Sequence, residues 1–232
     1  PPRQEAPGRQ CAAACRLGRL LLEQLAPVLE RISEVAYHRD VNAHNIMVDG
    51  GDGPLPSYGL VDFGLGVDVQ CWRGAAHSGA LSSRPSRVGQ DGAFTWHHLD
   101  VGGDCRYWPS SAWTQFLLGW TEVEAAPGLC HEYQTQLDLH SLGLTALQVV
   151  AELLPPPGEL ALAAAEGAPL PELRALQAAW AQYWGAVSPL HSRLIETFHG
   201  DGNWDELKAE CMEQQVHGLV ASRLAALRAA SP

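Results

Sequence analysis

Basic side chains are scarce in this sequence of 232 residues, which has 15 Lys and Arg against 26 Asp and Glu and a formal net charge of −11. A nucleic-acid footprint or a site on an anionic membrane needs clustered basic residues, so neither partner is expected. The chain contains a single lysine, Lys208. Long apolar runs are also lacking. The longest, residues 137–154, carries Asp138, His140 and Glu152, so we expect no membrane span.

Metal-binding patterns of cysteine are absent too. The six cysteines form no CxxC pair and no Cys/His array with zinc-finger spacing. This pattern predicts free thiols and favours a reducing intracellular compartment. His97 and His98 lie beside Asp100, but adjacent side chains point in different directions on a helix or a strand, so a packing or surface role is favoured over a metal site.

Helical periodicity dominates what the sequence does contain. Residues 1–10 are rich in Pro, Gly and charge and predict a disordered lead-in. Apolar residues at helical spacing then predict an amphipathic helix to about residue 32, with Pro27 as a candidate kink. Residues 137–154 are apolar on nearly every face and predict a helix in the centre of a core. Further helices are predicted over 172–184, 189–198 and 204–229, so the fold class is mainly α.

One small β unit is predicted in this helical background. The apolar runs "NIMV" and "YGLVDF" are separated by "DGGDGPLPS", a turn signal rich in Gly and Pro, which together predict a two-stranded hairpin. From Cys71 to about Val101 the composition changes to Gly, Ser, Arg and His without a regular period, which predicts a long loop.

Polar motifs flank that hairpin. His38, Arg39 and Asp40 are followed by Asn45 five positions after Asp40, and the triplet Asp62, Phe63 and Gly64 follows the hairpin. With these residues the chain resembles the large, mostly helical lobe of eukaryotic-type protein kinases.

Two further stretches extend the resemblance. "GDCRYWP" (residues 103–109) is similar to the end of a kinase activation segment, and "DLHSLG" (138–143) is similar to the start of the family's buried central helix. The motifs cover about residues 11–154, and the last three helices carry none. The resemblance implies one kinase-like large lobe over residues 11–229, with a small β-hairpin at the catalytic loop and an activation-segment-like loop at about 65–109.

The resemblance also implies roles for single residues. Phosphoryl transfer depends on positioning and on neutralising phosphate charge with Mg²⁺. Asp40 would accept or orient the proton of the substrate hydroxyl, with His38 and Arg39 in the same catalytic loop. Asn45 and Asp62 would bind Mg²⁺, and Phe63 and Gly64 would complete the nucleotide site. Arg39 would pair with a negative group on the activation segment, and Asp138 would bind the backbone of the catalytic loop.

Each of these polar residues also has a simpler interpretation. Asp40 could be a turn residue, Asn45 a strand-edge cap and Asp62 a surface carboxylate.

The sequence also departs from the family pattern in three ways. Asn42 stands where serine/threonine kinases usually have a lysine, which removes a cation near the transferred phosphate. "PSSAW" replaces the usual "APE", so an anchoring glutamate is missing and Trp113 is expected to anchor by burial. The segment between Gly64 and Gly103 is longer than in most of the family.

The largest departure lies before the catalytic loop. The 36 residues that precede Tyr37 contain no GxGxxG and no lysine, the groups that hold the ATP phosphates in a complete kinase. Two function classes follow. In the first, the chain belongs to a protein kinase that uses ATP and Mg²⁺ to phosphorylate a protein hydroxyl, of the Ser/Thr type, with a small lobe supplied upstream. In the second, it is an inactive kinase-derived scaffold or subunit of a larger assembly, which binds protein partners and needs no cofactor.

Overall fold

A computed structural model describes residues 7–50, 55–68, 101–160, 170–200 and 202–231. These residues are mainly helical, which confirms the predicted mainly α class. The chain divides into two compact units, Pro1–Gln24 with Gly143–Pro232, and Leu25–Leu142. Within the described ranges no helix is long and apolar enough to cross a membrane.

The described residues form α-helices, short strands and two single 3₁₀ turns. The helices are α1 (Pro7–Ile32), α2 (Ser110–Leu118), α3 (Trp120–Ala125), α4 (Pro127–Thr135), α5 (Leu137–Leu153), α6 (Leu170–His199), α7 (Trp204–Glu213) and α8 (Val216–Ala230). The strands are β1 (Ala36–Tyr37), β2 (Ile46–Asp49), β3 (Ser57–Leu60) and β4 (Val67–Asp68), and the 3₁₀ turns are Ala43–Asn45 and Cys105–Tyr107.

Strand pairing brings two loops together. β2 and β3 form the expected antiparallel hairpin, with Ile46 opposite Leu60. β1 pairs antiparallel with β4, with Tyr37 opposite Val67. The loop 38–45 connects β1 to β2, and the loop 61–66 connects β3 to β4. Because both ends of one loop pair with both ends of the other, the two loops run side by side.

The first helix begins earlier than the sequence predicts. α1 starts at Pro7, inside the segment expected to be a disordered lead-in, and residues 1–6 lie outside the described part. Proline is favoured in the first turn of a helix, where its missing N–H has no helical partner to lose. The helix continues past Pro27 to Ile32.

The C-terminal helix boundaries also differ from the prediction. The two helices expected over 172–184 and 189–198 are one helix, α6, with Pro189 inside it. Val187 and Leu190 are buried on either side of this proline, and their burial offsets the lost backbone hydrogen bond. The helix expected over 204–229 is two helices, separated at Gln215, which has a φ of 52°.

Burial is distributed differently from what the periodicity of α5 suggests. Leu142 and Leu144 are buried, but Leu147 is only half-buried and Leu153 is exposed, so this helix is not enclosed on every face. In the unit that contains both termini, α6 and α8 pack together. Their buried side chains include Leu173, Leu176, Trp180, Tyr183, Val187, Leu190, Val220, Leu224 and Leu227.

Candidate functional site

His38 links the two adjacent loops. Its ring is fully buried, and Nδ1 accepts a hydrogen bond from the backbone N–H of Asp40 at 3.3 Å. That bond assigns the proton to Nε2, which donates to the carbonyl oxygen of Val61 at 3.0 Å. The ring also lies against Phe63, with 4.4 Å between the ring centroids. His38 thereby sets the spacing between Asp40 and the Asp62–Gly64 triplet.

Asp138 holds the backbone of the first loop. This buried residue lies in the first turn of α5, and its Oδ2 and Oδ1 accept hydrogen bonds from the backbone N–H groups of His38 at 2.7 Å and Arg39 at 2.8 Å. This is the contact that the family resemblance implies. Burial raises the pKa of the Asp138 carboxyl, and the two hydrogen bonds oppose that rise. Arg39 has a φ of 67°, a left-handed conformation that persists only where neighbouring contacts fix it, as these bonds do.

The same face of α5 carries a second anchor. The Oγ of Ser141, three residues after Asp138, lies 2.9 Å from the carbonyl oxygen of Tyr107 and 3.0 Å from that of Leu137. Residues three apart on a helix share a face. One helix face therefore contacts both the loop 38–45 and the end of the segment at 101–109.

The carboxylate of Asp40 has a defined orientation. Its Oδ1 accepts hydrogen bonds at 2.9 Å from both the backbone N–H of Asp104 and the Nδ2 of Asn42. Its Oδ2 accepts a hydrogen bond from the Nδ2 of Asn45 at 2.8 Å. Three N–H donors from three residues therefore restrict the rotation of this side chain.

Asn45 and Asp62 come together at the end of the hairpin. The backbone N–H of Val61 donates to the carbonyl oxygen of Asn45 at 2.9 Å, so Asp62 follows directly after a residue bonded to Asn45. The Nδ2 of Asn45 also donates to the carbonyl oxygen of Asp40 at 2.8 Å. Because both amide hydrogens of Asn45 are directed to Asp40, its Oδ1 points away from that residue.

The chemistry of these two residues fits Mg²⁺. Asp62 is exposed and has a φ of 61°, and its Oδ1 accepts a hydrogen bond from the N–H of Gly64 at 3.2 Å. Mg²⁺ prefers oxygen ligands and is commonly held by one or two carboxylates together with waters and substrate phosphates. The part of the chain that the structure describes contains no cluster of three or more His, Cys, Asp or Glu that could hold a metal ion. His97, His98 and Asp100 lie outside the described residues.

Gly103 lies close to the backbone of the loop 38–45. Its φ is 83°, and a Cβ at this position would lie 2.2 Å from the carbonyl oxygen of Arg39 and 3.0 Å from the Oδ1 of Asp40. Only a glycine allows this approach. The backbone N–H of the next residue, Asp104, bonds to Asp40, and the carboxylate of Asp104 binds the guanidinium of Arg106, with Nη2 at 2.5 Å from Oδ2. The hydrogen bond to Asp104 raises the pKa of Arg106.

The end of the segment is anchored by burial and by a helix cap. Trp113 is buried, as expected, and its ring lies 5.2 Å from that of Trp108 between centroids. A carboxylate oxygen of Glu132, in α4, accepts a hydrogen bond from the backbone N–H of Ser111 at 2.8 Å, in the first turn of α2. Pro109, the N-cap residue, makes no side-chain cap of its own. The sequence analysis missed Glu132, because no motif surrounds it.

Arg39 and Asp138 border a small cavity of about 20 Å³, which Ser141 and Trp108 also line. This space holds about one water molecule, and it is too small for a nucleotide. The anionic partner of Arg39 is expected on the activation-segment-like loop, of which residues 69–100 lie outside the described part. The guanidinium lies beside Gly102, 3.3 Å from where a Cβ on that glycine would be.

Comparisons of this chain with protein-family models, with curated proteins and with solved structures find no match. The resemblance to protein kinases therefore rests on the sequence motifs alone.

Proposed function

We propose that this chain is a protein-kinase-like large lobe, and that it supplies the catalytic loop and the metal ligands for phosphoryl transfer from ATP to a protein hydroxyl, of the Ser/Thr type. The other contacts to the nucleotide would come from a small lobe supplied upstream. The proposed substrate is a protein, as the resemblance to protein kinases implies.

The observation that carries the proposal is the network around Asp40. Donors from Asn42, Asn45 and Asp104 hold the carboxylate, and Asp138 fixes the strained backbone of the same loop from α5. A turn residue or a surface carboxylate needs no such support. A loop with a purely structural role gains little from a carboxylate of fixed direction. A proton acceptor in phosphoryl transfer depends on that direction.

Asn45 and Asp62 are the residues that would hold Mg²⁺, which neutralises phosphate charge when it is bound. Asn45 contributes an amide oxygen whose direction is set by its two bonds to Asp40, and Asp62 contributes an exposed carboxylate. Calorimetry of Mg²⁺ with nucleotide should detect binding that Asp62→Asn weakens. Asp205→Asn, which changes an exposed carboxylate in α7, is the matched control and should bind like the wild type.

The activity test is radiolabelled transfer from ATP to a generic protein substrate, with the complete gene product that contains these residues. Asp40→Asn keeps the size of the side chain and removes the proton acceptor, so the turnover number should fall by about 100-fold or more. The 232-residue chain alone should show no measurable transfer, because it lacks the glycine loop and strand lysine that hold the phosphates. Equal turnover of wild type and Asp40→Asn would exclude the proposed role.

A second candidate function is an inactive scaffold that binds a protein partner. The observation that favours it is Asn42, which stands where serine/threonine kinases usually have a lysine near the transferred phosphate. The intact mass of the native protein discriminates between the two, because a native chain near 25.0 kDa has no room for a small lobe. A substantially larger mass together with activity that depends on Asp40 would exclude the scaffold.

A further inference from the structure

Asn42, at the position where a lysine is usual, uses both ends of its side chain inside the loop. It is 4% exposed. Its Nδ2 donates to the carbonyl oxygen of Asp40 at 3.1 Å and to the Oδ1 of Asp40 at 2.9 Å. Its Oδ1 accepts hydrogen bonds from the backbone N–H groups of His44 at 2.8 Å and Asn45 at 3.3 Å. All the hydrogen-bonding capacity of the amide is thereby occupied.

We propose that Asn42 is a positioning residue that aligns Asp40 and Asn45 at the same time. The donor end turns the carboxylate of Asp40, and the acceptor end begins the 3₁₀ turn that carries Asn45. A rotation of Asn42 would release both. This inference rests on the proposed phosphoryl transfer, in which Asp40 faces the acceptor hydroxyl and Asn45 faces the metal.

The hydrogen-bonding chemistry of the alternatives shows why an amide suits this position. Lysine has three donors and no acceptor, so it would remove the side-chain acceptor of the His44 and Asn45 N–H groups, of which Asn45 alone keeps a bond to the backbone carbonyl oxygen of residue 42, at 3.1 Å. Aspartate has the same size and would keep the cap, but its oxygen would replace the donor 2.9 Å from Oδ1 of Asp40 and bring two carboxylates together. Asn42 therefore does more than leave out a cation. Its amide links the carboxylate of Asp40 to the N–H of His44, which lysine cannot do.

The chain offers a matched control for the capping half of this role. Asn203 begins α7, and its Oδ1 accepts hydrogen bonds from the N–H groups of Asp205 at 3.0 Å and Glu206 at 3.3 Å. This is the same capping geometry at a position outside the candidate site. Asn203→Lys removes a helix cap without altering Asp40, so it separates the effect of a lost cap from the effect of a misaligned carboxylate.

The kinetic test uses the complete gene product as wild type, Asn42→Asp, Asn42→Lys and Asn203→Lys. The two Asn42 variants should lose up to about 100-fold in turnover number with the KM for ATP little changed, because the ground-state grip on the nucleotide does not involve Asn42. Asn203→Lys should retain the wild-type turnover number. Turnover of Asn42→Lys at or above the wild-type level would overturn the proposal, since the family's cation would then serve better than the amide.

Hydrogen exchange followed by mass spectrometry on the same four proteins tests the hydrogen bonds around Asn42 independently of catalytic activity. In Asn42→Asp, the backbone N–H of Asp104 should exchange faster than in the wild type, because the carboxylate of Asp40 that accepts its bond is turned away. The N–H of His44 should stay protected in this variant and should exchange faster in Asn42→Lys, whereas the N–H of Asn45 keeps the backbone carbonyl oxygen of residue 42 as an acceptor. Unchanged exchange at Asp104 in Asn42→Asp would overturn the proposal. An inactive wild type with the expected exchange pattern would reject the phosphoryl transfer and retain the alignment of Asp40 by Asn42.

Discussion

The loop around Asp40 and the C-terminal helices α6 to α8 are stabilised by different kinds of contact. In the loop, polar side chains bind the backbone across long sequence separations, as Asp138 does with His38, 100 residues earlier. Between the C-terminal helices, Arg193 bonds to Glu210 and Arg223 bonds to Gln182, both at exposed positions, while the buried residues are mostly apolar. The loop is held by directional bonds and the helices by non-directional burial.

The difference reflects what each region must achieve. Apolar burial contributes about 1.5–3 kcal/mol for a large side chain and tolerates small shifts of position. A hydrogen bond contributes only about 1 kcal/mol net, but it fixes direction, and a buried donor left without its partner costs about 1–3 kcal/mol. A loop with residues in left-handed conformations needs directional contacts, whereas a helical core needs apolar volume. Three substitutions, each with a control, and one change of pH test this contrast.

The largest effect is expected for Asp138→Ala. The substitution leaves the N–H groups of His38 and Arg39 without acceptors, so the free energy of unfolding should fall by about 2–6 kcal/mol, at about 1–3 kcal/mol for each donor. Asp205→Ala is the matched control, because Asp205 also lies in the first turn of a helix but is exposed. Urea unfolding measures both. Equal losses for the two variants would show that directional bonds do not stabilise the loop.

A comparable loss is expected in the apolar region for Leu224→Ala. Leu224 is buried in α8, and its truncation should lower the free energy of unfolding by about 2–5 kcal/mol. Leu219, in the same helix, is exposed, and Leu219→Ala should cost well under about 1 kcal/mol. Thermal unfolding of the two variants provides the comparison. If Leu224→Ala cost no more than Leu219→Ala, the assignment of the core to the α6 and α8 contact would be wrong.

A smaller loss is expected for Gly103→Ala. An alanine here must adopt a φ of 83° and bring its Cβ to 2.2 Å from the carbonyl oxygen of Arg39, so the backbone has to shift. We expect a loss of about 1–3 kcal/mol in the free energy of unfolding. Gly102→Ala is the control, because its Cβ would meet only side-chain atoms of Arg39 and Leu65, at 3.3 Å and 3.4 Å. The comparison fails if chemical denaturation ranks Gly102→Ala as the more damaging change.

The smallest effect concerns pH. Because burial raises the pKa of Asp138 above its ordinary value of 3.8, the folded state binds this proton more tightly than the unfolded state does. The contribution of this group to stability is therefore largest below pH 3.8 and falls as pH rises through the raised pKa. The free energy of unfolding of the wild type minus that of Asp138→Asn should accordingly be larger at pH 4 than at pH 7. Urea titrations at the two pH values measure it, and a smaller gap at pH 4 would contradict the raised pKa.

The fold was predictable wherever a local pattern was strong. The mainly α class and the β2–β3 hairpin follow from periodicity and from a Gly- and Pro-rich turn. Helix ends were less predictable, since Pro189 lies within α6 and Gln215 interrupts the predicted last helix. In both cases tertiary burial or backbone geometry outweighs the local signal. Helices α2 to α4 had no distinctive pattern and were not predicted.

The motif residues of the candidate site were identifiable because their spacing is unusual, but their supporting contacts were not. The sequence suggested that Asn42 removes a cation, whereas the structure shows an amide bound to Asp40 and to the N–H groups of His44 and Asn45. Glu132, the cap of α2, had no signal at all. The contact of Glu132 joins residues 21 positions apart, which no local pattern records, whereas the contacts of Asn42 are local and depend on how its amide is oriented.

By itself, the sequence determined the helical composition, the hairpin and the order of the polar residues, because periodicity and turn chemistry act within a few neighbouring positions. Only the tertiary structure decided which backbone groups Asp138 would bind, how the carboxylate of Asp40 would be turned, and that Gly103 would approach Arg39. These outcomes depend on ångström-scale distances between segments up to 100 residues apart. They are set by packing and by directional hydrogen bonds, which a linear pattern does not specify.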